Sequence, residues 1–180
     1  EKSFFFGYEE SYGSVIKPFV RDKDSFQATL LLAEVASYYK EQGKTLVNVL
    51  DEIYEEYGYY LEGVQNISLT GLEGQQKIKK IMSHFQNSTI TEMAGKQIVT
   101  VEDYDKSVST TNGVAKEITL PKSLVLKYIY ADGGWFALRP SGTEPKLKIY
   151  IAIKDKDKAS AEQFIERLKQ EVMAIINNID

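Results

Sequence analysis

The sequence predicts an α+β fold: the tail of an α/β layer over residues 1–58, then a separate domain over residues 59–180 in which helices cover an antiparallel sheet. Three observations lead to this prediction. A strand-like segment followed by two helical segments ends at Gly58. Alternating strand-like segments then lie between two amphipathic helical segments. Finally, a chain of 180 residues is long enough to bury one sizeable core or two small ones.

The first domain begins with three consecutive phenylalanines, which predict a buried strand that ends in a turn. Because this strand lies so close to Glu1, we expect the chain to be a fragment of a longer protein. Apolar residues then recur at helical spacing in two segments that each end at a glycine. The predicted elements are a strand at 4–8, a loop at 7–13, a short strand at 15–20, a helix with Ser25 as N-cap and Gly43 at C′, and a helix from Thr45 to Gly58.

The second domain combines several strands with two helices. Between 146 and 153, Leu and Ile alternate with other residues, which is the pattern of a strand with one buried face. Residues 131–134, Ala-Asp-Gly-Gly, form a hairpin turn signal. Ser160 followed by Gln163 resembles a capping box at the start of the last helix. The predicted elements are strands at 59–69, 97–103, 124–130, 135–139 and 146–153, a helix at 72–85, and a last helix from near Ser160.

The composition excludes several classes of protein and site. With 43% hydrophobic and 27% charged residues, the chain is neither disordered nor a coiled coil. A net charge of −4 argues against broad affinity for nucleic acid or membranes, and no stretch approaches the ~20 apolar residues of a membrane span. The absence of cysteine excludes disulfides and thiolate metal sites and fits a cytoplasmic location. The single histidine, His84, excludes a multi-histidine metal site and is predicted to lie on a helix surface.

A hairpin with anion-binding chemistry is predicted between the last two strands. The segment 139–146, Arg-Pro-Ser-Gly-Thr-Glu-Pro-Lys, places Ser-Gly-Thr between two prolines. Proline fixes φ and glycine permits positive φ, so successive amides in such a loop can converge on an anion. Ser141 and Thr143 add hydroxyl donors, and Arg139 offers a planar fork for a phosphate. The alternative is an ordinary proline-glycine hairpin with a surface arginine, and the residue types alone fit it equally well.

A second candidate loop directly follows the first predicted strand. The segment 7–13, Gly-Tyr-Glu-Glu-Ser-Tyr-Gly, brackets two glutamates and a serine with glycines. Ligands of open α/β sheets bind beyond the carboxyl ends of the strands, where this loop falls. Glu9 and Ser11, two residues apart, are suited to grip neighbouring hydroxyls of a sugar. Taken alone, the segment is better interpreted as a solvated turn.

Together, the two loops resemble the C-terminal half of the α-D-phosphohexomutases, the family that includes phosphoglucomutases and phosphomannomutases. The resemblance keeps the same order along nearly the whole chain and includes Arg-Asp-Lys-Asp at 21–24 and Glu-Tyr-Gly at 56–58. It implies the end of an α/β domain 3 followed by a domain 4 with a TATA-binding-protein-like fold. The sugar loop departs from the commonest family pattern at Tyr8 and Tyr12, which is more typical of the larger phosphoglucomutase and phosphopentomutase-like branch.

The resemblance also implies roles for individual residues. Glu9 and Ser11 would bind the sugar hydroxyls, and Lys23 would approach from the following turn. The phosphate that is not being transferred would be held by Arg139, Ser141, Gly142 and Thr143. The parent enzyme would interconvert hexose 1-phosphate and hexose 6-phosphate through an enzyme phosphoserine, with Mg²⁺ as cofactor and a hexose 1,6-bisphosphate as intermediate. The sequence leaves open whether the sugar is glucose, mannose, glucosamine or a pentose.

The segments that carry the family's chemistry are not found in this sequence. Nothing matches the loop of the nucleophilic serine, and the segments 103–105 and 155–157 give only two aspartates each where the family's metal loop has three. We therefore expect no catalytic or metal-binding residue, no activity of the isolated chain, and a dependence on N-terminal domains 1–3. The alternative is a non-catalytic module that binds phosphosugars. A nucleic-acid-binding role, which the fold of domain 4 invites, is opposed by the acidic balance and the lack of a basic stripe.

Overall fold

The computed structural model describes residues 3–9, 12–142 and 144–179. The chain divides into two compact units, Glu1–Tyr57 (unit 1) and Gly58–Asp180 (unit 2). Helices and antiparallel strands make up the fold, so the predicted α+β class is confirmed. No helix in the described ranges is both long and apolar enough to cross a membrane.

Unit 1 is a small hairpin followed by two helices. Its elements are β1 (Gly7–Tyr8), β2 (Ser14–Val15), α1 (Ser25–Glu41) and α2 (Leu46–Tyr57). The two short strands pair antiparallel, with Gly7 opposite Val15. Among the described residues of unit 1, Val49 on α2 is the single buried hydrophobic side chain. The predicted apolar stripe of α1 is therefore only half-buried.

The helix ends of unit 1 follow standard capping chemistry. The N-cap of α1 is Asp24 and not the predicted Ser25, because the Asp24 carboxylate accepts hydrogen bonds from Phe26 N (2.9 Å) and Gln27 N (3.4 Å). A carboxylate at this position also interacts favourably with the helix dipole. Gly43, after the end of α1, has a φ of +73°, which confirms the left-handed C′ position predicted for it.

The opening phenylalanines differ from their prediction. Phe4 and Phe6 are about half exposed and Phe5 is 93% exposed, so they do not form the expected buried strand. A strand needs a hydrogen-bonded neighbour, and in the described part of unit 1 only Gly7–Tyr8 and Ser14–Val15 form such a pair. For the same reason the second strand stops at Val15 and does not run to residue 20 as predicted.

Unit 2 is an antiparallel sheet with two long helices. Its strand order is β3-β10-β9-β8-β5-β6-β7, and β4 pairs with β5 beside this path. The elements are β3 (Tyr59–Ser68), α3 (Gly71–Asn87), β4 (Glu92–Met93), β5 (Lys96–Asp103), β6 (Val108–Thr111), β7 (Val114–Glu117), β8 (Leu126–Tyr130), β9 (Trp135–Pro140), β10 (Lys146–Asp155) and α4 (Lys158–Asn177).

The core of unit 2 lies between one face of the sheet and the two helices. Strand residues with period two supply the sheet side, because alternate side chains of β8, β9 and β10 point to this face. The helices contribute apolar side chains at helical spacing. The buried set includes Ile78, Ile81, Met82 and Phe85 of α3, Leu126, Tyr128, Tyr130, Phe136, Leu138, Leu147, Ile149, Ile151 and Ile153 of the sheet, and Phe164, Ile165, Leu168 and Val172 of α4.

The other face of the sheet, which we call the open face, carries the remaining side chains of these strands. Strand pairing places them in cross-strand rows: Lys148 lies between Asn66 and Arg139, and Ala152 lies between Glu62 and Trp135. Lys127 of β8 belongs to the same face. The open face therefore displays cations and aromatic rings at its surface.

Two features of unit 2 differ from the sequence prediction. The strands β4, β6 and β7 were not expected, since their residues lack apolar alternation and β7 is exposed throughout. The last helix begins at Lys158, near the predicted start, but its N-cap is Asp157 and not Ser160, because the Asp157 carboxylate accepts a hydrogen bond from Ser160 N at 2.8 Å. Ser160 therefore lies inside the first turn.

Candidate functional site

The candidate phosphate loop is the hairpin that joins β9 to β10. Its ends are closed by a hydrogen bond from Ser141 N to Lys146 O at 2.8 Å. The Ser141 hydroxyl accepts a hydrogen bond from Glu144 N at 3.3 Å, which shapes the turn from inside. The loop is also held to the neighbouring strand, since Leu69 N donates to Pro145 O at 2.9 Å. These bonds fix both ends of the hairpin at the end of the sheet.

Arg139 lies on the open face directly opposite Lys148 of β10. Paired residues of antiparallel strands place their Cβ atoms about 5 Å apart on the same face, and like charges in that position repel each other. Neither side chain forms an ion pair with any described residue. Lys148 Nζ lies 5.7 Å from the ring centroid of Tyr150. Two neighbouring cations without an acid between them form a site suited to an anion.

Lys148 was missed by the sequence reasoning. It follows the conspicuous 139–146 segment by two residues, and only the register of β9 with β10 brings it beside Arg139. A signal existed, because a hairpin closed between Ser141 and Lys146 implies that pairing.

The amides of the loop do not all face a common point. The Ser141 N–H is used to close the hairpin, and the Glu144 N–H points to the Ser141 hydroxyl. The Gly142 N–H has no acceptor among the described residues, and Gly142 is exposed. The fourth predicted phosphate ligand, Thr143, lies outside the described residues. A phosphate at this loop would thus meet the Gly142 amide and the Arg139–Lys148 pair.

A cavity of about 280 Å³ opens on the other side of the same loop, toward α3. Its lining includes Ser141 and Gly142 from the loop and Gln75 and Lys79 from the helix. Lys79 is exposed and was not identified from the sequence. The loop is therefore flanked by cations on both faces of the sheet.

The candidate sugar loop brings Glu9, Gly13 and Lys23 together. Lys23 Nζ lies 3.3 Å from Glu9 Oε1 and 3.4 Å from Asp22 Oδ1. The Glu9 N–H donates to Gly13 O at 2.9 Å. A Cβ atom at Gly13 would lie 2.6 Å from Lys23 Cδ and 3.1 Å from Glu9 Oε1, so the absence of a side chain there leaves room for the pair.

The neighbouring carboxylates of this loop keep Lys23 charged. The hydrogen bonds to Glu9 and then Asp22 raise the pKa of Lys23, so its ammonium group stays charged. Glu9 and Lys23 are both about half exposed, so a carboxylate and an ammonium group lie at the surface of this loop. Ser11, the other predicted sugar ligand, lies outside the described residues. Tyr12, the residue before Gly13, has a φ of +64° and is fully exposed.

The aspartates considered as metal ligands serve the local structure. Asp103 Oδ1 accepts hydrogen bonds from Asp105 N and Lys106 N, both at 3.1 Å. Asp157 is the N-cap of α4 and Asp155 lies 3.7 Å from Lys96 Nζ. Across the described ranges, no three acidic or histidine side chains form a group that could hold a metal ion. His84 is exposed near the end of α3.

Charge is unevenly distributed between the two units. Unit 2 holds 16 lysines and arginines against 15 acidic residues, whereas unit 1 holds 6 against 11. The net acidity of the chain therefore resides in unit 1. It does not oppose anion binding at the hairpin of unit 2.

Two family models match most of the chain. The model "Phosphoglucomutase/phosphomannomutase, alpha/beta/alpha domain III" matches residues 1–57. The model "Phosphoglucomutase/phosphomannomutase, C-terminal domain" matches residues 92–171. The two matches follow the order of the two candidate loops along the chain.

Curated relatives and a solved structure agree with these matches. The chain is 41% identical over 155 residues to a phosphoglucomutase of Staphylococcus epidermidis and 40% identical over 158 residues to one of Staphylococcus aureus, covering 85% and 87% of this chain. It spans 28% of the length of either relative. A crystal structure of the Paramecium phosphoprotein pp63/parafusin, a phosphoglucomutase in open form, shares the fold, with a TM-score of 0.58 and 16% identity over 94% of this chain and 30% of that one.

Proposed function

Since the chain belongs to the phosphoglucomutase/phosphomannomutase family, we propose that it forms the sugar- and phosphate-binding part of a phosphohexomutase. The parent enzyme interconverts hexose 1-phosphate and hexose 6-phosphate. In this proposal unit 1 is the C-terminal part of domain 3, unit 2 is domain 4, and the N-terminal domains complete the enzyme. The exposed apolar side chains of unit 1 support a role within a larger protein, for example Phe26 at 87% and Val47 at 66% exposure.

The observation that carries the proposal is the pairing of Arg139 with Lys148 beside the loop. Two cations held side by side cost stability unless an anion is present, so the arrangement favours a doubly charged ligand. A phosphate dianion accepts charge-assisted hydrogen bonds from both side chains and from the Gly142 amide. The Ser141 and Thr143 hydroxyls complete the proposed set. The guanidinium is the stronger contact because its planar fork matches two phosphate oxygens.

The sugar loop of unit 1 is the proposed partner of the sugar hydroxyls. Glu9 accepts hydrogen bonds from sugar hydroxyls, and Lys23 donates to them, with Ser11 as a further partner. A mutase that moves phosphate between C1 and C6 must bind its intermediate in two opposite orientations. The phosphate loop holds the phosphate that is not reacting, and the sugar loop binds hydroxyls presented similarly in both orientations. Such positioning is a large part of what phosphoryl transfer requires of a protein.

The chemistry itself belongs to parts of the parent outside these residues. Mg²⁺ favours several oxygen ligands in octahedral geometry, and the aspartates considered as metal ligands do not fit it, since Asp103 shapes a turn, Asp157 caps α4 and Asp155 lies near Lys96. We propose that the parent uses a phosphoserine, Mg²⁺ and a hexose 1,6-bisphosphate intermediate in the cytoplasm. The present chain binds and orients the substrate.

An NMR titration of the chain with glucose 1-phosphate tests the proposal. The amide signals of residues 141–143 are expected to shift, with glucose as the uncharged comparison ligand. Arg139→Ala is expected to weaken binding about tenfold to a hundredfold, because it removes one or two charge-assisted hydrogen bonds. Lys148→Ala is expected to weaken binding less, since a single ammonium is lost.

Lys116→Ala provides the matched control. Lys116 is an exposed lysine of β7, so the variant has the same charge change as Lys148→Ala at the far edge of the sheet. It should bind as the unmodified chain does. Amides at 141–143 that stay unmoved at millimolar ligand, or equal losses in the lysine variants, would contradict the proposal.

A further inference from the structure

A second concavity lies on the open face at the opposite end of β9 from the phosphate loop. Its volume is about 260 Å³. The floor is formed by the small side chain of Ala152, whose register partners Glu62 and Trp135 stand on either side. The turn at Gly133 and Gly134 closes one end. We call this concavity the Ala152 pocket.

Aromatic rings form the walls of the Ala152 pocket, and each ring already has a cation beside it. Lys127 Nζ lies 4.5 Å from the Trp135 ring centroid, and Lys154 Nζ lies 5.2 Å from that of Tyr60. A cationic ligand would enter next to these two ammonium groups and be repelled by them. The rings therefore offer apolar contact area to an uncharged molecule.

The two acidic side chains of the pocket differ in whether they form an ion pair. Asp132 is occupied, since Lys96 Nζ lies 2.7 Å from its Oδ2 and Gly134 N donates to its Oδ1 at 3.0 Å. Glu62 is exposed and has no ion-pair partner among the described residues. Its carboxylate can accept hydrogen bonds from a ligand and would repel an anionic one.

We propose that the Ala152 pocket binds a neutral, polyhydroxylated ring, a single monosaccharide unit. Such a ring presents an apolar face to Trp135 and hydroxyl donors to Glu62, and it carries no charge that the two ammonium groups or the Glu62 carboxylate would repel. The pocket is slightly smaller than typical cavities for drug-sized ligands, which suits one ring. It lies roughly 17 Å from the phosphate loop, five strand residues away. It is therefore a separate site, and the proposal does not depend on the function proposed above.

Trp135 is the single tryptophan of the sequence, so the tryptophan emission of the chain comes from this pocket. We expect a saturable change in emission when the chain is titrated with D-glucose, and shifts of the Gly133 and Gly134 amides in the same titration. Guanidinium chloride at low concentration and inorganic phosphate serve as cationic and anionic probes, and both are expected to give no saturable change.

Two substitutions locate the binding in the pocket. Ala152→Leu fills the floor and is expected to abolish the response. Glu62→Gln keeps the shape and removes the charge, and is expected to weaken binding about tenfold. Glu73→Gln makes the same change at an exposed residue of α3 and should leave binding unchanged.

A circular dichroism melt of each variant separates loss of binding from loss of folding, and Glu62→Gln on the surface keeps the test open if Ala152→Leu unfolds. The proposal is overturned by an unsaturable or absent response to glucose. It is equally overturned if phosphate or guanidinium saturates the signal, or if a folded Glu62→Gln binds as the unmodified chain does.

Discussion

Two tyrosines of β8 offer a matched test of the core of unit 2. Tyr128 and Tyr130 are each 1% exposed and point to the same face of the sheet. The Tyr128 hydroxyl donates to Phe85 O at 3.0 Å, whereas the Tyr130 hydroxyl has no hydrogen-bond partner among the described residues. Replacing each in turn with phenylalanine removes one oxygen atom from otherwise similar environments.

The two substitutions are expected to have different effects on the free energy of unfolding. Phe85 is in the last turn of α3, where the carbonyl groups lack helical partners, so the Tyr128 hydroxyl satisfies a buried acceptor. Tyr128→Phe leaves that carbonyl unpaired and should lower the free energy of unfolding by about 1–3 kcal/mol. Tyr130→Phe removes a buried hydroxyl that makes no bond, so stability should stay the same or rise by up to about 1 kcal/mol.

Urea unfolding followed by Trp135 fluorescence measures both variants, since this ring lies in unit 2. The slope against urea should stay constant while the midpoints separate. In a thermal melt each kcal/mol should shift Tm by about 4 °C for a unit of this size. Equal losses in the two variants, or a larger loss in Tyr130→Phe, would refute the reasoning.

Three further outcomes are expected. Burial raises the pKa of Tyr128 and Tyr130, so above pH about 10 the unfolded chain loses protons that the folded chain keeps. The free energy of unfolding should therefore fall by up to about 1.4 kcal/mol per pH unit for each tyrosine. Urea midpoints measured across this pH range check it, and Tyr128→Phe should make the fall with pH less steep. Gly58→Ala should destabilise unit 2 by about 1 kcal/mol or more in the same assay, since Gly58 has a φ of +96° and its Cβ would lie 2.5 Å from Lys154 Cε; an unchanged midpoint contradicts this. Gly13→Ala should leave the unfolding midpoint unchanged, because the φ of Gly13 is not positive. The new Cβ atom should displace Lys23 from Glu9 and so weaken glucose 1-phosphate binding in an NMR titration. Unaltered binding would disprove this prediction.

Local signals explain what could be predicted from the sequence. The alternation at 146–153 lies within β10, and the helical spacing at 72–85 lies within α3. Both patterns have a period set by a single element and need no knowledge of its neighbours. The C′ position of Gly43 could also be predicted, because a left-handed residue after a helix favours glycine.

Features that depend on pairing were not predictable in the same way. The hairpin of β6 and β7 has polar, exposed strands and shows no hydrophobic period. Its turn at Asn112 and Gly113, with φ values of +48° and +83°, was a readable signal that was overlooked. The neighbour relation of Arg139 and Lys148, and the rows that form the Ala152 pocket, arise from strand register between distant residues. The exposure of Phe4–Phe6 likewise depends on strand pairing, since no described residue of unit 1 pairs with this segment.

The burial of just one apolar residue in the described part of unit 1 has a consequence for how the molecule responds to stress. Hydrogen exchange there should be rapid, because each amide of α1 is protected by local helical bonds without an interior behind them. The sheet of unit 2 should hold its deuterium-resistant amides much longer. Brief exposure to a protease is therefore expected to digest the first third of the polypeptide, whereas the remainder should resist cleavage.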